Sequence, residues 1–289
     1  MPPPARKPQS AQLQARNDLL DRIMAVATSD SRILAVLDYG STSEGRGNAW
    51  SDIDLAILIR PDAWDEFSAS WRQWLESCGP VLLGFISFVG HPWAVIATDA
   101  APVRVDLHLY GGAPDHDLVT ALREWPNSPT SVEAMLLFDR DNALAEHVAP
   151  MIGRSLAPMD LDETFASASA HFWYYVHRAW SKLQRDSDWG TRWNLTFIVT
   201  GNLCALLRLE SGAIDRWTAS DAADGIESAV SPQRIAQLQR CIPSPDAESL
   251  APALRASAEL GAEVCASIAS RNGQPWPEDL AREMIRLLD

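Results

Sequence analysis

The 289-residue chain lacks the long apolar runs and the paired cysteines that mark several classes of protein. A membrane-spanning helix needs about 20 consecutive apolar residues, and the sequence contains no such run. The four cysteines, Cys78, Cys204, Cys241 and Cys265, form no CxxC pair, which disfavours a zinc site or a disulfide framework. The first ten residues are Pro-rich and basic without the apolar core of a secretory signal. We therefore expect a cytoplasmic protein with free, buried thiols and no membrane contact.

The chain also lacks basic charge, because its formal net charge is -14. Proteins that grip a nucleic-acid backbone depend on a basic surface, so a polynucleotide substrate is disfavoured. An acidic cleft attracts cations and raises their association rate, so a cationic small molecule is favoured. The length suits two domains of ordinary size or one large domain, and the hydrophobic content of 47% allows a sizeable core.

The two halves of the chain differ in their apolar periodicity. Short β-like runs alternate with helical stretches in the first half, and the second half is helical throughout. The predicted strands are 32–39, 53–59, 81–88, 93–98, 102–110 and 134–138, and the predicted helices are 11–28, 61–78, 143–152, 161–185, 193–209, 222–230, 248–270 and 277–288. The pattern predicts an α+β protein. A mixed β-sheet domain with flanking helices (11–153) precedes an all-helical domain (159–289) after a linker near 153–158, with a ligand cleft between them.

Two chemical features lie between the first two predicted strands. Gly40 ends the first strand, and Ser41 follows where a short helix could begin; free N–H groups there, with the Ser41 hydroxyl, would bind a triphosphate. Asp52 and Asp54 share one face of the second strand while Ile53 points into the core. Paired carboxylates repel each other, and Mg²⁺, which prefers hard oxygen ligands, would remove that repulsion.

A third acid, Asp106, stands between Val105 and Leu107 on the alternating strand 102–110. If this strand lies beside 53–59, three carboxylates would hold two Mg²⁺ ions about 4 Å apart, as in in-line displacement at phosphorus. Asp106 would then help to activate an attacking hydroxyl group. The alternative is an exposed acid that pairs with Arg104.

Gly40-Ser41, a ten-residue spacer, Asp52-Ile53-Asp54 and the acid in an apolar strand together resemble the nucleotidyltransferase superfamily typified by DNA polymerase beta. The likeness covers roughly residues 31–140. With its helical second half, the chain also resembles the antibiotic-resistance adenylyltransferases that act on aminoglycosides and lincosamides. That resemblance implies ATP as co-substrate, Mg²⁺, a small hydroxyl acceptor and release of pyrophosphate.

Other positions are weaker candidates for nucleotide contacts. Ser51 precedes the carboxylates, and Arg46 lies in the same loop, where it is either a phosphate ligand or a solvated charge. The resemblance implies a lysine of the second domain on the β- or γ-phosphate. Lys182 is that candidate, on one predicted helical face with Tyr175 and Arg178. Its alternative role is a surface ion pair with Asp186 at i,i+4.

Three further acids and one histidine have less definite expectations. Glu44, Asp186 and Asp188 are candidates to meet a cationic acceptor. His108 shares the face of Asp106 but is more typical of a packed strand histidine.

Two other functions stay open on the sequence alone. One is protein AMPylation of the kind carried out by nucleotidyltransferase antitoxins, although those are usually the minimal core without a large helical domain. The other is a non-catalytic nucleotide-binding interaction module, against which the intact motif residues argue. The sequence is compatible with a monomer or a homodimer, and it does not identify the acceptor.

Overall fold

A computed structural model describes residues 9–111, 117–125, 128–154, 160–214 and 222–289. The chain divides into two compact units, Met1–Leu156 and Ala157–Asp289. The first contains a mixed six-stranded sheet with flanking helices, and the described part of the second is helical. The predicted α+β class is confirmed. None of the described helices combines the length and apolarity needed to cross a membrane.

The first unit is built around one sheet with the strand order β3-β4-β5-β2-β1-β6. Its strands are β1 Ile33–Asp38, β2 Ile53–Ile59, β3 Val81–Ile86, β4 Pro92–Ile96, β5 Val103–Tyr110 and β6 Leu136–Asp139. Its helices are α1 Gln9–Ser29, α2 Trp64–Glu76, α3 Leu118–Glu124, α4 Val132–Met135 and α5 Ala145–Val148. The central pair β2 and β5 is parallel, and the other neighbouring pairs are antiparallel.

Strand β2 lies near the middle of the sheet, and its apolar side chains are buried. Ile53, Leu55 and Ile57 are fully buried and pack in one cluster with apolar residues of α1 and α2. The predicted inward face of this strand is thus confirmed. Since side chains alternate along a strand, Asp54 is directed to the opposite face.

The second unit packs its helices around a separate apolar core. Its helices are α6 Leu161–Leu183, α7 Asp188–Trp193, α8 Thr200–Ser211, α9 Ile226–Ala229, α10 Pro232–Arg240, α11 Leu250–Asn272 and α12 Glu278–Leu288, with a π-helical segment at Asn194–Val199. Helices α6 and α11 approach so closely that a Cβ on Gly261 would lie 2.1 Å from the Phe172 ring. The four cysteines are buried, as expected, and the structure pairs none of them in a disulfide bond.

Several predicted boundaries are wrong for identifiable reasons. The predicted strand 134–138 begins as a helical turn, because the Ser131 hydroxyl accepts a hydrogen bond from the Ala134 amide at 3.1 Å and caps α4. The helix predicted at 193–209 consists of the end of α7, the π-helical segment and α8. Helix α10 was not predicted, although Ser231 and Pro232 are a typical N-cap and first helical residue.

Parts of the predicted linker and tail lie outside the described residues. Helix α1 begins at Gln9, so residues 1–8 of the tail are not described. Residues 155–158 of the linker are not described either.

Candidate active site

Three carboxylates converge at one end of the parallel pair β2–β5. Asp54 and Asp106 are register partners across this pair, and Asp52 lies immediately before β2 rather than on the strand as predicted. One ligand oxygen from each of the three carboxylates lies within 4.8 Å of the others. A set of hard oxygen donors at this spacing fits a divalent cation such as Mg²⁺.

Burial and neighbouring carboxylates raise the pKa values of Asp54 and Asp106. Burial, followed by the charges of Asp52 and Asp106, raises the pKa of Asp54 to about 7. Burial and the charge of Asp52 raise the pKa of Asp106 to about 6. The cluster therefore tends to hold protons near neutral pH, and a bound divalent cation would take their place.

Arg16 of α1 fixes the backbone that carries Asp52. Its Nη2 donates to the Asp52 carbonyl at 2.7 Å and to the Thr42 hydroxyl at 2.8 Å, and its Nε donates to the Ser51 carbonyl at 3.0 Å. The side chain is buried, and desolvation lowers the pKa of Arg16 although neighbouring aspartates oppose the shift. Sequence reasoning missed this residue. The sequence feature that could have revealed it is the position of Arg16 on the same helical face as the buried Leu19 and Ile23.

Gly40 lies against the carboxylate of Asp54. A Cβ at this position would sit 2.1 Å from Asp54 Oδ2, so no residue with a side chain fits without displacing that carboxylate. The predicted close approach of the backbone thus occurs, and its observed neighbour is the acid.

The short helix expected after Ser41 does not form. Residues 41–45 are turns, because the Asp38 carboxylate accepts the Gly40 amide at 2.9 Å and the Ser43 hydroxyl donates to the Gly40 carbonyl at 2.8 Å. Such local bonds compete with helix formation. The expectation of a short helix is therefore wrong for this loop, and phosphate binding by Gly40 and Ser41 stays a prediction. Asp38 is itself buried, and this desolvation raises its pKa.

The other predicted loop residues lie around the same turn. The Ser41 hydroxyl donates to the Ser51 hydroxyl at 3.2 Å, and the Ser51 oxygen accepts the Asn48 amide at 2.9 Å. Arg46 forms an ion pair with Glu44, so these two charges are matched within the loop. Ser41 and Ser51 thus adjoin each other beside Asp52.

Strand β5 carries two more polar side chains on the face of Asp106. Arg104 forms its ion pair with Asp52, not with Asp106 as the alternative interpretation held. The centroid of the His108 ring lies 4.5 Å from that of Tyr39 and 4.2 Å from that of His91, on which His108 is stacked. Burial and the neighbouring His91 lower the pKa of His108 to about 4, so this side chain is neutral and packed, as the favoured interpretation held.

Lys182 belongs to the helical unit, near the end of α6. It lines a cavity of about 370 Å³ with Tyr174, His177, Arg178, Ser181 and Arg185. The alternative i,i+4 pair with Asp186 is absent, since α6 ends at Leu183 and Asp186 has a φ of 52°. Among the described residues, Lys182 forms no ion pair.

Comparison with known proteins decides the family. The model of the streptomycin adenylyltransferase family matches residues 13–289. The chain belongs to this family. Its members are nucleotidyltransferases, so the chain is a nucleotidyltransferase, and the predicted resemblance to antibiotic-modifying adenylyltransferases is confirmed.

Two solved structures are similar to this adenylyltransferase. One is an aminoglycoside 6-adenyltransferase from Bacillus subtilis, with 14% identity and a TM-score of 0.42 over 95% of this chain and 96% of that chain. The other is a nucleotidyltransferase-like protein from Exiguobacterium sibiricum, with 10% identity and a TM-score of 0.37 over 94% of this chain and 87% of that chain. No curated protein matches the chain.

Proposed function

We propose that this adenylyltransferase transfers AMP from ATP to a hydroxyl group of a small cationic antibiotic, with release of pyrophosphate. The observation that carries the proposal is the cluster of Asp52, Asp54 and Asp106, whose ligand oxygens lie within 4.8 Å of one another. The family match supports the reaction class. The net charge of -14 supports a cationic acceptor, and an aminoglycoside is the first choice.

Asp52, Asp54 and Asp106 would hold Mg²⁺, and three carboxylates offer enough oxygens for two ions. Bound magnesium would supply positive charge to the developing transition state and to the leaving pyrophosphate. The rigid parallel register of Asp54 with Asp106 orients these oxygens before the substrates arrive.

The chemistry is an in-line displacement at the α-phosphorus of ATP. A bond forms between the acceptor oxygen and the α-phosphorus, and the bond from that phosphorus to the bridging oxygen of pyrophosphate breaks. The proton of the acceptor hydroxyl passes to an Asp106 carboxylate oxygen and then to solvent.

The remaining sequence candidates would bind the nucleotide. Gly40, Ser41 and Ser51 adjoin the carboxylates, and Arg46 would contact phosphate after leaving Glu44. Lys182, a cation without an ion pair among the described residues, would bind the β- or γ-phosphate. In this proposal residues 11–153 are the catalytic domain, and residues 159–289 are a helical domain that supplies Lys182.

The test is pyrophosphate release from each of the four nucleoside triphosphates with Mg²⁺ and a panel of aminoglycosides and lincosamides, beginning with streptomycin. We expect release with ATP and an acceptor whose mass rises by one AMP. Asp106→Asn should lower kcat about a thousandfold, while Asp65→Asn, an exposed acid of α2, should match the unmodified protein.

Two outcomes would contradict the proposal. Full activity of Asp106→Asn would remove its catalytic role. Absence of turnover with every small acceptor, together with AMP labelling of a partner protein, would instead support the protein-AMPylating alternative.

A further inference from the structure

Arg104 neutralises one of the three carboxylates through its side chain. Its guanidinium forms an ion pair with the Asp52 carboxylate, and β5 places it on the same face as Asp106, two residues away. Arg16 also reaches Asp52, but it contacts the backbone carbonyl. Within the described part of the chain, Arg104 is the one cation that forms an ion pair with the cluster.

The ion pair of Arg104 with Asp52 is exposed enough for Arg104 to leave and another cation to take its place. The Arg104 side chain is 66% exposed and that of Asp52 is 20% exposed, so water already surrounds the guanidinium. Exposed pairs contribute little net stability, and a long arginine side chain can rotate away at small cost. The same Asp52 oxygens are proposed metal ligands, and a guanidinium in contact with them repels an incoming dication.

We propose that Arg104 is a counter-ion for Asp52 that makes metal binding and nucleotide binding depend on each other. The inference rests on the proposed function. Metal alone would displace the guanidinium from Asp52 and leave it facing a dication without an anion. Metal that arrives with a triphosphate gives the released guanidinium a new anionic partner. By thermodynamic linkage, the nucleotide then strengthens metal binding by the same factor as metal strengthens nucleotide binding.

The experiment measures Mn²⁺ binding from the electron paramagnetic resonance signal of free Mn²⁺, with and without α,β-methylene-ATP. Arg104→Gln should bind Mn²⁺ alone about threefold to tenfold more tightly than the unmodified protein. The strengthening of Mn²⁺ binding by the nucleotide analogue should shrink by a similar factor. Arg104→Lys keeps the charge and should lie between the two.

The matched control is Arg72→Gln, an exposed arginine of α2 paired with Glu76 in the same unit. It should behave as the unmodified protein in both measurements. Equal Mn²⁺ affinity in Arg104→Gln and the unmodified protein, or an unchanged effect of the analogue, would overturn the inference while leaving the metal site intact. Should Arg104→Gln fail to fold, Arg104→Met, which also removes the charge, decides by the same criteria.

A failure of the proposed function would look different. In that case the unmodified protein would bind no Mn²⁺ even with the analogue, and Asp54→Asn would change nothing. That result would overturn the inference together with the metal site on which it rests.

Discussion

A cluster of acidic side chains in the sheet unit and a cluster of basic side chains in the helical unit have different structural settings. In the sheet unit, strand register holds Asp54 beside Asp106, and burial together with neighbouring carboxylates raises the pKa of both acids. In the helical unit, Arg178, Lys182 and Arg185 line one open cavity on α6 and form no ion pairs among the described residues. Neighbouring strands can force like charges together, whereas cations along a helix remain solvated. We therefore expect substitutions of the acids in the sheet unit to lower kcat. Substitutions of the cations in the helical unit should instead weaken substrate binding.

Asp54→Asn should have the largest effect on this contrast. We expect kcat/KM to fall about a thousandfold or more, because the site loses a metal ligand in the transition state. The matched control is Asp65→Asn, which changes an exposed acid of α2. Retention of more than a tenth of the activity would show that the carboxylate is not a ligand.

The same substitution should stabilise the metal-free protein at pH 8. The pKa of Asp54 is about 7 in the folded protein and near 3.8 in the unfolded chain. The folded state thus binds the proton more tightly, and this group's contribution to stability is present at low pH and lost as pH rises through 7. Asparagine cannot ionise. The free energy of unfolding, measured with urea, should therefore rise by roughly 1–3 kcal/mol in Asp54→Asn at pH 8 and change little at pH 4.

Gly40→Ala should reduce activity about tenfold to a hundredfold. The added Cβ would meet Asp54 Oδ2 at 2.1 Å and displace a ligand by a fraction of an ångström or more. Gly201→Ala, within α8, meets nothing within 4 Å and should instead gain about 0.5–1 kcal/mol of stability with unchanged kcat. Equal kinetics for the two variants would mean that the Gly40 contact does not position the carboxylate.

Metal affinity should rise with pH between about 5.5 and 7.5. Protons held by Asp54 and Asp106, whose pKa values are about 7 and about 6, compete with the cation. For each proton that the metal displaces, the metal-binding constant rises by up to about tenfold per pH unit. Mn²⁺ titrations at several pH values measure the slope, and Lys182→Ala should leave it unchanged. A flat profile would argue that these carboxyl groups are not the ligands.

Lys182→Ala should have the smallest effect and should show the binding role of the helical unit. We expect KM for ATP to rise about fivefold to tenfold with kcat nearly unchanged, as for the loss of one charged contact. Lys182→Arg should restore most of the affinity, and Arg271→Ala, an exposed cation at the end of α11, should have no effect. A fall in kcat without a change in KM would place Lys182 in the chemistry instead.

The parts of the site that the sequence predicted rest on short-range rules. Alternation along β2 and β5 places Asp54 and Asp106 on one face, and the glycine after β1 signals a close approach. Arg16 escaped prediction because its bonds to the carbonyls of Ser51 and Asp52 span 35 and 36 residues, a distance that no local pattern encodes.

The errors arose where one side chain changed the local backbone. Asp38 and Ser43 close turns where a helix was expected, and the Ser131 cap converts the start of a predicted strand into a helical turn. The alternative ion pair of Lys182 with Asp186 does not form, because α6 ends before Asp186. These outcomes depend on single hydrogen bonds and helix ends, which periodicity does not resolve.

The position of Arg16 has a practical consequence for anyone who dissects this protein. A shortened chain that starts at β1 would keep every acidic residue of the motif and all six strands of the sheet. It would lose the bonds from α1 to the Ser51 and Asp52 carbonyls and leave that peptide segment free to drift. Such a fragment would contain the whole sequence motif, but the backbone of Asp52 would no longer be held in place. Its inactivity would therefore not count against the proposed role of the aspartates as metal ligands.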